Sequence, residues 1–494
     1  ATRHNWNITV KLVFDGKCVC FTQYIPINLP SKIAAMSSLK NLFACIASFL
    51  MLAACNTPAS KDTMANSSDI SKINGHPAWI MQGNIYEVNV RQYTPEGTFK
   101  AFEANLQRLK DMGVQTLWFM PINPISKVDR KGVLGSYYAV ADYTAINPEY
   151  GTMDDWNDLV KKCHEMGFKV VIDWVPNHTG GDHYWLKKHP DFYVKDSVTG
   201  KAISQFDWTD TRKLNYKNPE LVDTMINCMK FWLKESDIDG FRCDVAGEVP
   251  DDFWKKCIAE LKKGKNIFML AEGNKATLQQ DGFDATYCWD EFAMMKKIAK
   301  GERPAFALDS VVNRVDTTFP NNSLIMYFTS NHDENSWNKA DYGTMPGASH
   351  APFAVLTQTM WRSVPLIYSG QEEPFLDSIS FFYKDTITFS KLERAGFYKT
   401  LLELRRSNIA LAANATFKKI ATTNDAAVYV FLRAAGDKKI IVLLNFSGMP
   451  QQFTLTNYDP SGSPENVFTG QHETLKAANQ QFALPPWGYL VYKY

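Results

Sequence analysis

A (β/α)8 TIM barrel, with a short insertion after its third strand and an antiparallel β-sandwich domain behind it, is the α/β fold this sequence predicts. Two observations carry that expectation. Between residues 84 and 372, apolar runs of strand length alternate with amphipathic helical stretches; eight such strands form a parallel sheet, and eight is the number at which it closes. The alternation stops after AGFYKTLLELRRSN, and from about residue 415 short apolar runs follow one another with turn residues between, the pattern of an antiparallel β domain.

Taken in order, the first strand is read in NIYEVNV (84–90), a helix over 99–112, and the second strand in VQTLWFMPI (114–122). MDDWNDLVKKCHEMG reads as a helix that leads to the third strand, FKVVIDWVPN (168–177). PELVDTMINCMKFWLKES precedes the fourth, DGFRCDVAG (239–247), and DDFWKKCIAELKKG the fifth, NIFMLAEGN (266–274). FDATYCW, SLIMYFTSN and VPLIYSGQE supply the sixth to eighth. The barrel is assigned to 80–395 with its insertion at 178–218, and the β domain to 396–494, with strands in AAVYVFLRAA, KKIIVLLNFS, QQFTLTNY and GYLVYKY.

At 494 residues the chain has room for several domains and a large core. Its 53 basic and 52 acidic residues cancel, so charge implies neither a nucleic-acid partner nor an anionic membrane surface. Thirteen tryptophans and 21 tyrosines suit packing against sugar faces as well as core filling. Five cysteines fall within the folded part, Cys163, Cys228, Cys243, Cys257 and Cys288, and form no CxxC pair, which indicates neither a zinc site nor a disulfide framework.

Residues 36–55, MSSLKNLFACIASFLMLAAC, combine a lysine, an apolar run of about a dozen residues and small residues before Cys55, a secretory signal rather than a spanning helix. The ending resembles a bacterial lipobox whose cysteine, Cys55, becomes the lipid-modified first residue. On that reading residues 1–35 are an upstream segment called too early, 56–79 is a flexible polar tether, and the protein is lipid-anchored in the bacterial cell envelope.

In such a barrel the chemistry sits at the C-terminal ends of the strands. The third strand ends in Asp173, Asn177 and His178; the fourth carries Arg242 and Asp244 on one face; the fifth ends in Glu272; the seventh ends in His332 and Asp333; and Tyr138 lies in the loop after the second. A lone strand-end carboxylate is commonly a helix cap and a lone histidine a satisfied core group. Asp244, Glu272 and Asp333, with two histidines and an arginine, ending different strands of one barrel indicate catalysis.

DWVPNH, GFRCDVA, LAEGN and FTSNHD, in this order and at these strand ends, resemble the four short conserved regions of glycoside hydrolase family 13, the α-amylase family. GSYYAVADYTAINPEYGT and LIYSGQE are similar as well. The resemblance implies a glycosidase acting on α-linked glucose, with starch-derived α-1,4-glucans or maltooligosaccharides as substrate and no cofactor in the chemistry. Retaining hydrolysis needs a nucleophilic carboxylate and an acid about 5–5.5 Å apart. Asp244 suits the nucleophile because Arg242 favours its ionised form, and Glu272 the acid because Asp244 and Asp333 raise its pKa. By resemblance, Asp333 holds sugar hydroxyls and stabilises the transition state, His178 and His332 donate to the same ring, Tyr138 stacks beneath it, and Asp173 orients Arg242 and the substrate.

Finer specificity rests on departures from the family pattern. Typical α-amylases follow the nucleophile with a Lys-His pair, where this chain has Gly247 and Glu248. DVAGEV and TRKLN are similar to regions of neopullulanases and cyclomaltodextrinases, although only the tether precedes the first strand. Asn177 matches a family calcium ligand, but the other ligands of a structural calcium are not assignable. The rival readings are a transglycosylase or trehalose-synthase-like isomerase sharing the covalent intermediate, and an inactive sugar-binding protein on the same scaffold. Oligomeric state is not legible.

Overall fold

The computed structural model describes residues 7–14, 17–24, 71–338, 345, 347–375, 377–477 and 479–494. It divides into two units, residues 1–68 and 69–494. The first holds one antiparallel hairpin, Asn7–Phe14 paired with Lys17–Tyr24. Cys55 and the signal segment around it lie outside the described residues.

In the second unit, eight parallel strands form the barrel: β1 Ile85–Val88, β2 Thr116–Phe119, β3 Lys169–Trp174, β4 Gly240–Cys243, β5 Phe268–Ala271, β6 Ala285–Tyr287, β7 Leu324–Met326 and β8 Leu366–Tyr368. Each lies within a run expected to be a strand. Their order is β7-β6-β5-β4-β3-β2-β1-β8, and β8 closes the ring against β7 through Leu366 N–H donating to the Tyr327 carbonyl at 2.8 Å. The β3–β4 register sets Arg242 opposite Asp173, which fixes the centre of the site. Gly240 is required at the start of β4, since a Cβ there would stand 2.1 Å from the Phe268 carbonyl oxygen.

Helices cover the barrel for legible reasons. Met153–Glu165 buries Trp156, Leu159, Val160 and Cys163, spaced at three and four residues, and starts in a capping box in which Thr152 and Asp155 satisfy each other's backbone N–H. The single helix expected over 99–112 is two, Phe99–Glu103 and Leu106–Met112, because the chain turns at Ala104-Asn105. Ala395–Ser407 belongs to this layer, with Leu402 buried in the barrel's core. The insertion after β3 is organised by an antiparallel ribbon, His178–Gly180 paired with Thr211–Lys213.

The tether expected over 56–79 stops short of residue 71. Lys72–Ile73 and His76–Pro77 pair, and buried His76 hydrogen-bonds the Asp284 carboxylate at 2.9 Å and the Asn322 carbonyl at 2.7 Å. Those partners outweigh the polar composition that suggested a free segment.

The C-terminal strands begin at Thr416 and form a six-stranded antiparallel sheet facing a two-stranded one. Along Val428–Ala435, Val428 and Val430 enter the core between the sheets, while Tyr429 and Phe431 enter a core shared with barrel residues such as Met360 and Val364. Two-residue periodicity thus buries both faces of one strand. Phe353 stacks on Phe446 across the same boundary at 4.3 Å.

Candidate active site

A cavity of about 570 Å3 opens at the C-terminal ends of the barrel strands, lined by Tyr138, His178, Asp244, Glu272, His332 and Asp333 among others. Six of the residues expected there from sequence are therefore brought together. Arg242 and Asp173 are fully buried beneath them.

Arg242 is the hub. Its Nη1 donates to Asp173 Oδ1 at 2.8 Å and to Asp244 Oδ1 at 2.9 Å, Nη2 lies 2.9 Å from Glu272 Oε2, and Nε donates to the Tyr287 hydroxyl at 2.9 Å. Trp118, Tyr138 and Tyr287 surround the guanidinium within 5.1–5.7 Å of their ring centres. Asp173 and Arg242, expected to bind substrate, lie fully buried behind the cavity wall, where Arg242 is shared among Asp173, Asp244 and Glu272.

One guanidinium spans Asp244 and Glu272 and holds the candidate nucleophile and acid side by side at the cavity floor. The two carboxyls shift, however, in the opposite sense to the sequence expectation. Burial, followed by the Glu272 charge, pushes Asp244 well above its ordinary value despite Arg242. Burial also disfavours ionised Glu272, but Arg242, the Val245 N–H and His332 outweigh it and hold that carboxyl below its ordinary value. The reason is donor count: Glu272 Oε2 receives the Val245 N–H at 2.7 Å in addition to Arg242. Hydrolysis requires the reverse of these directions, an ionised Asp244 and a protonated Glu272.

Val245, the residue after Asp244, stands at φ 45°, a left-handed conformation that strains a β-branched side chain by roughly 1–3 kcal/mol. That turn is what aims its N–H at Glu272.

His332 bridges the cavity to the barrel interior. Its Nδ1 meets Glu87 Oε1 at 2.5 Å, and its Nε2 lies 2.8 Å from the Tyr138 hydroxyl and 3.4 Å from Asp333 Oδ2. Burial alone lowers the imidazole's pKa, but the Asp333 and Glu87 charges raise it to about 9. Burial pushes His178 down to about 4, so it lines the cavity as a neutral ring. Burial raises Asp173 to about 6 even with Arg242 beside it. Asp333, its side chain 39 % exposed, is the accessible carboxylate of the set.

Glu87, Trp118 and Tyr287 were missed by sequence reasoning, and all three sit on barrel strands. The signal for Glu87 was present, as a charged residue within the apolar run NIYEVNV.

Asn177, the calcium-ligand position implied by the resemblance, has its side-chain amide 3.1 Å from His178 Nδ1, beside the ribbon that pairs His178 with Lys213. Among the described residues no three of His, Cys, Asp and Glu converge on a metal-sized position.

With four strand-end segments converging on one carboxylate pair, the comparisons with known proteins become decisive. The α-amylase catalytic-domain model matches residues 62–208 and 191–395, and the maltogenic-amylase C-terminal-domain model matches 417–491. The chain belongs to the α-amylase family. Its α-amylase fold superimposes on a noncanonic maltogenic α-amylase, AmyB, of Thermotoga neapolitana with a TM-score of 0.77 at 29% identity, covering 84% of this chain and 99% of that one. Neopullulanase 2 of Thermoactinomyces vulgaris is 26% identical over 79% of this chain and 70% of its own length. α-Amylase MalA of Haloarcula japonica is 25% identical over 76% of this chain, which spans 57% of that relative.

Proposed function

We propose that this α-amylase family member is a retaining glycoside hydrolase that cleaves α-glucosidic bonds, mainly α-1,4, in starch-derived glucans or maltooligosaccharides. The observation that carries this reading is the Arg242 fork between Asp244 and Glu272 at the floor of a cavity walled by Tyr138, His332 and Asp333. Asp244 attacks the anomeric carbon as Glu272 passes its proton to the departing glycosidic oxygen, leaving a glycosyl–Asp244 ester. Glu272, now a carboxylate, takes a proton from water as that water attacks the same carbon, and Asp244 leaves as a carboxylate. Asp333 and protonated His332 face the sugar where oxocarbenium charge develops and its hydroxyls need partners. Proton NMR of maltoheptaose digestion is expected to show the α-anomer appearing first, and Asp244→Asn to abolish turnover. First appearance of the β-anomer, or unchanged activity in Asp244→Asn, overturns the reading.

The same proposal places the enzyme on the bacterial cell envelope through a lipid on Cys55. The run MSSLKNLFACIASFLMLAAC supports it. In the expressing bacterium, labelled palmitate should enter the wild type and not Cys55→Ala; an unlabelled wild type removes the anchor from the proposal.

A further inference from the structure

The loop between β2 and Tyr138 does more than carry Tyr138 to the site. On one side it is pinned to the insertion: Arg212 contacts Asp129 at 2.6 Å, Lys131 Nζ donates to the Asp207 carbonyl at 3.3 Å, and Lys127 N–H donates to Asp182 at 2.7 Å. On the other side it is pinned to the segment after β8. Leu134 N–H donates to the Phe382 carbonyl at 3.0 Å, and Gly132, at φ 64°, lies so close that a Cβ would stand 2.5 Å from Phe382 Cβ. Buried Arg91 ties the loop's end to that segment from beneath, donating to the Leu134, Gly135 and Phe381 carbonyls. Phe381 and Phe382 pack in turn on Trp337, 5.7 and 6.1 Å away. Insertion, loop and post-β8 segment therefore make one continuous wall.

Which end of the cavity this wall closes follows from the chemistry. The leaving chain lies on the side of Glu272, where the Gly247 carbonyl accepts a hydrogen bond from exposed Lys275 at 2.9 Å. The wall stands on the other side, behind Tyr138, whose ring stacks on His332 and Phe381 at 5.4 and 6.2 Å. On the proposed chemistry, that is the end the non-reducing part of a glucan would occupy. The cavity, about 570 Å3, falls within the size range of small-ligand sites.

The closed end also has something to recognise a chain terminus with. Asp210 lines the cavity and is only 3% exposed, and its Oδ2 has no hydrogen-bond partner among the described residues. Its Oδ1 lies 3.8 Å from Lys131 Nζ, a gap one hydroxyl can bridge.

We infer that the enzyme, hydrolysing as proposed above, acts from non-reducing chain ends, with Lys131 and Asp210 holding the terminal sugar's free hydroxyls against the wall. Short saccharides are then released, and a glucan whose non-reducing end is blocked or absent is spared.

The deciding comparison uses 4-nitrophenyl maltoheptaoside and its 4,6-O-ethylidene derivative, blocked at the non-reducing end, with products separated by liquid chromatography. The free-ended substrate should be cleaved about 10²-fold faster or more, and β-cyclodextrin, which has no end, should be left intact. In a variant with residues 128–133 replaced by Gly-Ser-Gly, or in Lys131→Ala should that loop variant fail to fold, the preference should narrow through faster cleavage of the blocked substrate. Equal rates on both maltoheptaosides in the wild type overturn the inference and leave the glycosidase reading standing. Cleavage of neither removes that reading, and this one with it.

Discussion

Arg242 faces three carboxylates with a single positive charge, and around it Asp244 is pushed above and Glu272 held below its ordinary value. His332 supplies a second positive charge only because Glu87 and Asp333 hold its imidazole charged to about pH 9 against the cost of burial. Glu87→Gln should therefore move the His332 titration, followed by NMR, down from about 9 toward the ordinary value of ~6.5. A histidine whose folded pKa is raised contributes stability that is fully present below about pH 6.5 and lost as pH climbs through 9. The wild type should lose that component over this window in thermal melts, and Glu87→Gln, which keeps Asp333, should lose less of it. An unmoved titration would show that Asp333 alone sustains the charge.

At the scale of elements, positioning is separable from chemistry. The helix Met153–Glu165 carries no residue of the cavity but feeds β3, and its start depends on the reciprocal Thr152–Asp155 bonds, 3.1 Å from Asp155 N–H to Thr152 Oγ1 and 2.8 Å from Thr152 N–H to Asp155 Oδ2. Thr152→Ala removes one of these and should cost about 1 kcal/mol in denaturant unfolding while kcat stays within twofold or so. A large fall in kcat at unchanged stability would mean that this helix end couples to the site. The ribbon His178–Gly180 with Thr211–Lys213 is the opposite case, because its register sets His178 and Thr211 directly on the cavity wall.

For the molecule as a whole, barrel and C-terminal sheets share one core, and a buried cation fastens them. Arg433, on a C-terminal strand, donates to the carbonyls of Thr359 and Met360 on the barrel side at 2.7 and 2.6 Å, and to Ala412 at 2.7 Å. Burial, with only carbonyls as partners, lowers its pKa to about 9. Arg433→Met orphans several buried carbonyls at about 1–3 kcal/mol each, and should lower the melting temperature in a single calorimetric transition. Two resolved transitions, with activity surviving the first, would show that barrel and sheets unfold independently.

Much of this was legible before any coordinates. The eight strands were recoverable because each is a short apolar run between helical stretches, and a strand buried on both faces must be apolar throughout. Asp244, Glu272, Asp333, His178, His332 and Tyr138 were legible for the converse reason, as polar groups at strand ends. The sense in which each carboxyl shifts was not, because it depends on counting donors: Glu272 receives a second one from Val245, whose left-handed turn no composition announces. Glu87 was hidden inside a strand until the closed barrel brought it to His332, 245 residues away. The order of residues by itself determined the barrel, the β domain and the set of reactive groups, since periodicity and polarity are local properties of the chain. Only the tertiary structure decided which carboxyl is raised and which lowered, and which end of the cavity is walled, because both depend on charges and backbone donors from segments far apart in sequence.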